Sequence, residues 1–95
     1  MPSPSRPEDE ERLNAVRAFL RKSFPAAELI DRFDAEATAQ RFTIDPGRAS
    51  RRTLLVPRAM LEDPALVSLL SERLVDAMKR AGARPVTLTA KGIRY

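Results

Sequence analysis

The chain has 95 residues, with 17 lysines and arginines, 13 aspartates and glutamates, and neither cysteine nor histidine. A chain of this length predicts one domain, which buries about 60% of its unfolded surface without help from a metal or a disulfide. The missing cysteine and histidine exclude disulfides, most zinc sites and the Ser–His and Cys–His pairs of nucleophilic enzymes. We therefore expect no catalytic residue, no metal and no cofactor, which indicates a protein that is not an enzyme.

The N-terminal stretch MPSPSRPEDEER lacks the apolar core that a signal peptide carries. No apolar run elsewhere in the sequence is long enough to span a bilayer. From these two features we expect a cytoplasmic protein that does not contact membranes. Residues 1–7 hold three prolines and two serines, which predict a disordered tail, and residues 8–95 are predicted to form a single small α+β domain.

The first helix is predicted over residues 8–23. Its first turn is acidic and its last turn is basic, as the helix dipole prefers, and Leu13, Val16 and Leu20 repeat at helical spacing. Pro25 ends this helix, because the residue before a proline avoids the helical region of backbone angles.

Three strands are predicted next, over residues 27–33, 38–44 and 52–56, where apolar and polar side chains alternate. Short connections join them, and the sequence DPG after the second strand is typical of a turn. The three strands should therefore form an antiparallel meander. Phe33 and Phe42 are both predicted to point into the core.

The clearest element is a second helix, predicted over residues 64–81. Asp63 is a suitable N-cap, Pro64 suits the first helical position, and Gly82 can end the helix in a left-handed conformation. At about 100° per residue, one face of this helix is apolar and suited to packing on a core. The residues of that face are Leu66, Val67, Leu70, Leu74, Ala77, Met78 and Ala81.

A last strand is predicted over residues 85–90, and a short helical turn over residues 57–62. The predicted fold class is α+β, an α-β-β-β-α-β two-layer sandwich with a four-stranded mixed sheet and two helices on one face. The last strand follows a helical crossover, so it should lie parallel to the third. The open face of the sheet is predicted to carry Arg32, Arg41, Thr43, Thr53, Thr87 and Thr89.

The order of the elements is similar to that of the double-stranded-RNA-binding domain, which reads duplex RNA by its shape. That domain has a lysine cluster at the start of its second helix, where this chain has the acidic stretch DPAL at residues 63–66. The glycines are Gly47, Gly82 and Gly92, so the Gly-X-X-Gly loop of a K-homology module is missing. These motifs therefore identify no family.

The loop of residues 45–52, DPGRASRR, is the densest basic feature of a chain whose net charge is +4. Arginine suits phosphate, because the planar guanidinium group forms two parallel hydrogen bonds. One hypothesis is nucleic-acid binding through the 48–52 loop and the basic C-terminal end, and the alternative is a solvated hairpin whose charges keep its edge soluble. The candidate residues are Arg41, Arg48, Arg51, Arg52, Arg84 and Lys91.

Three apolar residues are not needed to fill the predicted core, namely Leu55, Leu69 and Val75. They motivate the hypothesis that we place first, a small non-enzymatic binding or regulatory domain that acts through protein–protein contacts. Its partner is an unknown protein or a second copy of the chain. The carboxylates Asp31, Asp34 and Glu36 lie near a turn, but their spacing matches no metal-binding loop, and no metal site is predicted.

Overall fold

The structure is a computed structural model that describes residues 7–47 and 51–95. The helices are α1 (Pro7–Ser23), α2 (Arg58–Leu61), α3 (Ala65–Leu69) and α4 (Glu72–Ala81). The strands are β1 (Glu28–Asp34), β2 (Ala39–Asp45), β3 (Arg52–Pro57), β4 (Val86–Thr89) and β5 (Gly92–Arg94). The predicted tail lies outside the described residues except for Pro7, which begins α1. Within the described ranges, no helix combines the length and the apolar character needed to cross a membrane.

The fold is α+β with a mixed sheet, as predicted. The strands lie in the order β1-β2-β3-β4-β5, where β1, β2 and β3 form the predicted antiparallel meander and β4 runs parallel to β3. The prediction of four strands is wrong, because β5 pairs antiparallel with β4. The Thr89 hydroxyl makes this turn, since it donates to the Gly92 carbonyl (3.0 Å) and accepts from the Lys91 amide (3.2 Å).

The prediction of one helix over residues 64–81 is also wrong, because the backbone leaves the helical conformation between α3 and α4. Leu70 has ψ 82°, and Ser71 is extended with φ −143° and ψ 175°. The Ser71 carbonyl accepts from the amides of Leu74 (3.0 Å) and Val75 (3.3 Å), so this serine is the N-cap of α4. The Ser71 side chain makes no capping hydrogen bond, so the break lies in the backbone of Leu70 and Ser71, and serine is less favourable in a helix interior than the leucines around it.

The core is a single cluster that joins helix residues with alternate residues of β2, β3 and β4. Its fully buried side chains are Val16, Leu20, Phe42, Ile44, Leu54, Val56, Leu66, Leu74, Met78, Val86 and Leu88. Strand residues of the opposite parity in β2, β3 and β4, such as Thr43, Thr53 and Thr87, are only partly buried. The chain therefore builds its core on one face of the sheet.

Two residues that were predicted to be apolar core are exposed. Phe33 is 42% exposed, because it lies on the outermost strand, where its cross-strand neighbour is the polar Gln40. Val67 is 56% exposed on α3, because the interruption at Leu70 and Ser71 removes it from the continuous apolar face that a single helix would have had. These exposures leave apolar surface outside the core.

Candidate interaction site at the edge of the sheet

Of the two edge strands of the sheet, β1 and β5, strand β1 carries two large exposed apolar side chains. It pairs only with β2, and no other strand among the described residues pairs with its outer edge. Ile30 is 52% exposed and Phe33 is 42% exposed. An edge strand presents a row of backbone N–H and C=O groups that can pair with another chain, and exposed apolar side chains add to that tendency. The outer edge of β1 is therefore the leading candidate for an interaction site.

A network of polar side chains joins β1 to helix α1 and to the neighbouring strand β2. Arg17 donates from Nε to Asp31 Oδ1 (3.0 Å) and from Nη2 to Asp31 Oδ2 (2.9 Å). Gln40 on β2 also donates to Asp31 Oδ2 (2.7 Å). Hydrogen bonding from Arg17 is the main cause that lowers the pKa of Asp31, while partial burial opposes it. This network holds the Asp31 side chain against α1 and β2.

The register with β2 assigns the β1 side chains to two faces. Ile30 lies opposite Thr43 and Arg32 lies opposite Arg41, so both belong to the open face, which faces away from the core. Leu29, Asp31 and Phe33 point to the core face by alternation. The pairings continue across β3 and β4, so the six residues predicted for the open face share that face.

Like charges lie side by side on the open face on both sides of Ile30. On one side Arg32 is opposite Arg41, and on the other side Glu28 is opposite Asp45. Arg41 and Asp45 have partners, since Arg41 binds Asp34 and Asp45 binds Arg51. Glu28 and Arg32 take part in no ion pair among the described residues. The edge of β1 thus carries one cation and one anion that have no oppositely charged neighbour of their own.

The turn after β1 is held by Asp34. Its Oδ2 accepts from Arg41 Nη2 (2.7 Å) and Nε (3.2 Å), and its Oδ1 accepts from the amides of Glu36 (3.0 Å) and Ala37 (3.2 Å). The hydrogen bond from Arg41 is the main cause that lowers the pKa of Asp34, and the Ala37 amide adds to it. Arg41, one of the residues predicted to bind nucleic acid, is therefore engaged within the chain.

The other residues predicted to bind nucleic acid are divided between the two ends of the sheet. Arg48 lies outside the described residues, and Arg51 binds Asp45 (3.1 Å). Arg52 and Arg84 each stand two residues before the parallel pair of Leu54 and Val86, so they lie at the same end of the sheet. Lys91 lies in the β4–β5 turn, at the opposite end.

Arg94 lies at the same end of the sheet as Arg52 and Arg84. Arg94 on β5 is opposite Thr87 on β4, close to where β3 and β4 begin. We call the group of Arg51, Arg52, Arg84 and Arg94 the basic end of the sheet. Arg52 Nε is buried without a hydrogen-bond partner in the described part of the chain. The basic end collects residues that are far apart in sequence.

The three predicted interface residues do not form one surface. Leu55 lies on the open face between Arg41 and Thr87, Leu69 on α3 packs against the core, and Val75 on α4 lines a shallow depression with Lys79. Sequence reasoning missed Ile30 and Glu28, because the sequence does not give the order of the strands in the sheet. A sequence signal was present in Asp31, a charge in the middle of the strand, which is typical of an edge.

Two carboxylates of β1 form ion pairs within the chain. Asp31 is bound to Arg17, and Asp34 to Arg41. Within the described residues, no group of three acidic side chains is arranged to hold a metal ion. The site therefore presents exposed apolar side chains, charged groups and unpaired backbone.

Comparison of the chain with protein-family models, with curated proteins and with solved structures found no match.

Proposed function

We propose that this chain is a small non-enzymatic binding domain that takes up a protein partner along the outer edge of β1. The observation that carries the proposal is the seven-residue edge strand with an exposed apolar side chain on each face, Ile30 on one and Phe33 on the other. We propose the cytoplasm as its compartment, because a chain without cysteine needs no oxidative folding.

The interaction mode that fits this geometry is strand addition. An extended segment of the partner would pair with the free N–H and C=O groups of β1, and these main-chain hydrogen bonds supply affinity. Ile30 and Phe33 would supply selectivity, because successive residues of the added strand point to opposite faces and meet one of them each. Arg17 and Gln40 hold Asp31 in place, which presents β1 as a preformed template.

The proposal can be tested with peptides selected from a random library displayed on phage. Selected peptides should slow amide hydrogen exchange along residues 28–34, and Ile30→Lys should weaken their binding at least about tenfold, since it places a charge in the apolar contact. Val67→Lys is the matched control, because Val67 has a similar exposure (56%, against 52% for Ile30) but lies on α3. Selected peptides that protect another region, or that bind the Ile30→Lys variant unchanged, would contradict the proposal.

Nucleic-acid binding is the second candidate, and the basic end of the sheet favours it. The parallel pairing of β3 and β4 brings Arg51 and Arg52 near Arg84, and β5 adds Arg94. Clustered arginines are the usual contacts to phosphate oxygens. Tyr95 is 56% exposed beside Arg94 and offers a ring on which a base can stack.

This candidate predicts a salt-dependent affinity for oligonucleotides. The logarithm of the binding constant should fall linearly with the logarithm of salt concentration, because phosphate contacts release counterions. Arg51→Glu combined with Arg84→Glu should weaken binding by more than about tenfold. The control is Arg58→Glu with Lys91→Glu, which changes the net charge equally at the other end of the sheet. Equal losses in both variants, or no binding by the unaltered chain, would remove this candidate.

A further inference from the structure

We infer that the partner of β1 is a second copy of this chain, paired antiparallel so that Ile30 of one copy lies opposite Ile30 of the other. This inference rests on the proposed function, since it names the partner of the same edge. It follows from the charges and apolar side chains that the register of β1 places around Ile30.

Symmetry restricts the possible registers. Two identical strands that pair antiparallel are related by a two-fold axis perpendicular to the sheet, and this axis keeps each face on its own side. Opposite residues point to the same face, so one residue of β1 must lie on the axis, opposite its own copy. Seven residues of β1 therefore give seven registers to compare.

Repulsion between like charges excludes the register centred on Asp31 and the register centred on Arg32. With Asp31 on the axis, two aspartates are opposed, and Glu28 meets Asp34 twice. With Arg32 on the axis, two arginines are opposed. Directly opposed like charges destabilise a strand pair. Registers centred on Leu29 or Phe33 pair only residues 28–30 or 32–34 of the strand, and those centred on its ends pair fewer still.

The register centred on Ile30 pairs residues 28–32 and opposes no like charges. Ile30 meets Ile30, and Glu28 of each copy meets Arg32 of the other. These are the two charged residues of β1 that take no part in the ion pairs of the described chain. Phe33 would lie opposite Ala27 of the second copy, so the second exposed side chain of β1 also gains an apolar neighbour.

Charged residues on β2 add to the pairing of opposite charges between the two copies. Within one copy, Arg32 lies beside Arg41 and Glu28 lies beside Asp45, so each copy presents a positive pair and a negative pair on either side of Ile30. Rotation about Ile30 places the positive pair of one copy next to the negative pair of the other. Complementary charges of this kind fix register and partner choice. The two five-stranded sheets become one continuous sheet, with both cores on the same face.

Disulfide trapping reads the register directly, because the chain has no cysteine of its own. Opposite residues of antiparallel strands have Cα atoms about 4.5–5.5 Å apart, within the range that a disulfide needs. The Ile30→Cys variant should form a covalent dimer under mild oxidation. Arg32→Cys should not, because the two copies of residue 32 would be about 13 Å apart along the strands. Thr43→Cys controls for random collisions, because Thr43 lies on the open face of β2 and outside the proposed contact.

Charge reversal gives a second readout by sedimentation velocity. Glu28→Arg and Arg32→Glu should each weaken the dimer roughly tenfold, since each change turns two attractive pairs into repulsive ones. The double variant should restore the unaltered affinity. Each single change improves the pairing inside the chain, because Arg at position 28 faces Asp45 and Glu at position 32 faces Arg41. A loss of dimer is therefore not a loss of folding.

The outcomes separate this inference from the proposed function. Trapping by Arg32→Cys or Phe33→Cys instead of Ile30→Cys would overturn the register. A monomer at all concentrations, with no trapping at Ile30, would overturn self-pairing, while library peptides that protect residues 28–34 would leave the proposed function standing. Failure of those peptides as well would remove both.

Discussion

Arg17 on α1 and Asp31 on β1 are joined by two parallel hydrogen bonds, from Nε to Oδ1 (3.0 Å) and from Nη2 to Oδ2 (2.9 Å). The side chains are only 22% and 15% exposed, so this ion pair is more shielded from solvent than most surface pairs. It joins the first helix to the edge strand that we propose as the binding site. The integrity of the site therefore depends on this contact.

We expect Arg17→Met to lower the free energy of unfolding by about 1.5–3 kcal/mol, the usual contribution of hydrogen bonds to charged groups. Asp31 would be left with Gln40 as its one remaining side-chain donor among the described residues. Urea denaturation measures the change. Lys22→Met is the control, because Lys22 also lies on α1 and is exposed, and it takes part in no ion pair among the described residues. A loss as large in Lys22→Met as in Arg17→Met would contradict this role.

The same pair predicts a pH dependence. The pKa of Asp31 is lower in the folded chain, mainly because Arg17 donates hydrogen bonds to it, so the ionised carboxylate stabilises the fold above the ordinary aspartate pKa of about 3.9. That contribution is lost as the pH falls through the folded pKa. Asp31→Asn should therefore destabilise the chain most at neutral pH, and the difference should narrow below about pH 4. Thermal unfolding from pH 7 to pH 2 tests this, with the exposed Asp76→Asn as control. If the difference in stability between Asp31→Asn and the unaltered chain stays constant over this pH range, the charge of Asp31 does not stabilise the fold.

The two phenylalanines of the meander should respond very differently to truncation. Phe42 is fully buried, so Phe42→Ala should cost about 3–5 kcal/mol through lost burial and a cavity. Phe33 is 42% exposed at the edge, so Phe33→Ala should cost less than about 1 kcal/mol. Denaturant midpoints of the two variants give the comparison. Equal losses would mean that Phe33 belongs to the core.

Local patterns predicted the meander, because Phe42 and Ile44 alternate with polar residues and short turns join the strands, although Leu55 interrupts the alternation in β3. The parallel fourth strand was predicted from the helical connection that precedes it. Local patterns failed to predict the break between α3 and α4. Ser71 lies within an apolar helical repeat, but the backbone at Leu70 and Ser71 leaves the helical conformation there. The fifth strand depends on a side-chain hydrogen bond of Thr89, which periodicity does not reveal.

The candidate site depended on knowledge that the sequence does not contain. Ile30 looks like any strand residue until β1 is known to be the edge. The unmatched charges of Glu28 and Arg32 become visible only through the register with Asp45 and Arg41, which are distant in sequence. The basic end likewise requires the parallel pairing of β3 with β4.

The turn after α4 supplies the last prediction. The Arg84 amide donates to the Ala81 carbonyl (3.1 Å), and Gly82 has φ 61° and ψ −120°, the angles of the second residue of a type II′ turn. An L-residue with these angles is strained, so Gly82→Ala should cost about 1–3 kcal/mol. A Cβ atom at this position meets nothing within 4 Å, so the cost comes from the backbone alone.

D-alanine at position 82 is the decisive control, because the mirror-image residue favours these angles. In a synthetic chain it should be at least as stable as glycine, since it also restricts the unfolded state. Thermal unfolding of the three chains, with glycine, L-alanine and D-alanine at this position, separates backbone strain from side-chain contact. If L-alanine and D-alanine destabilise the fold equally, the turn does not require the left-handed conformation that Gly82 adopts.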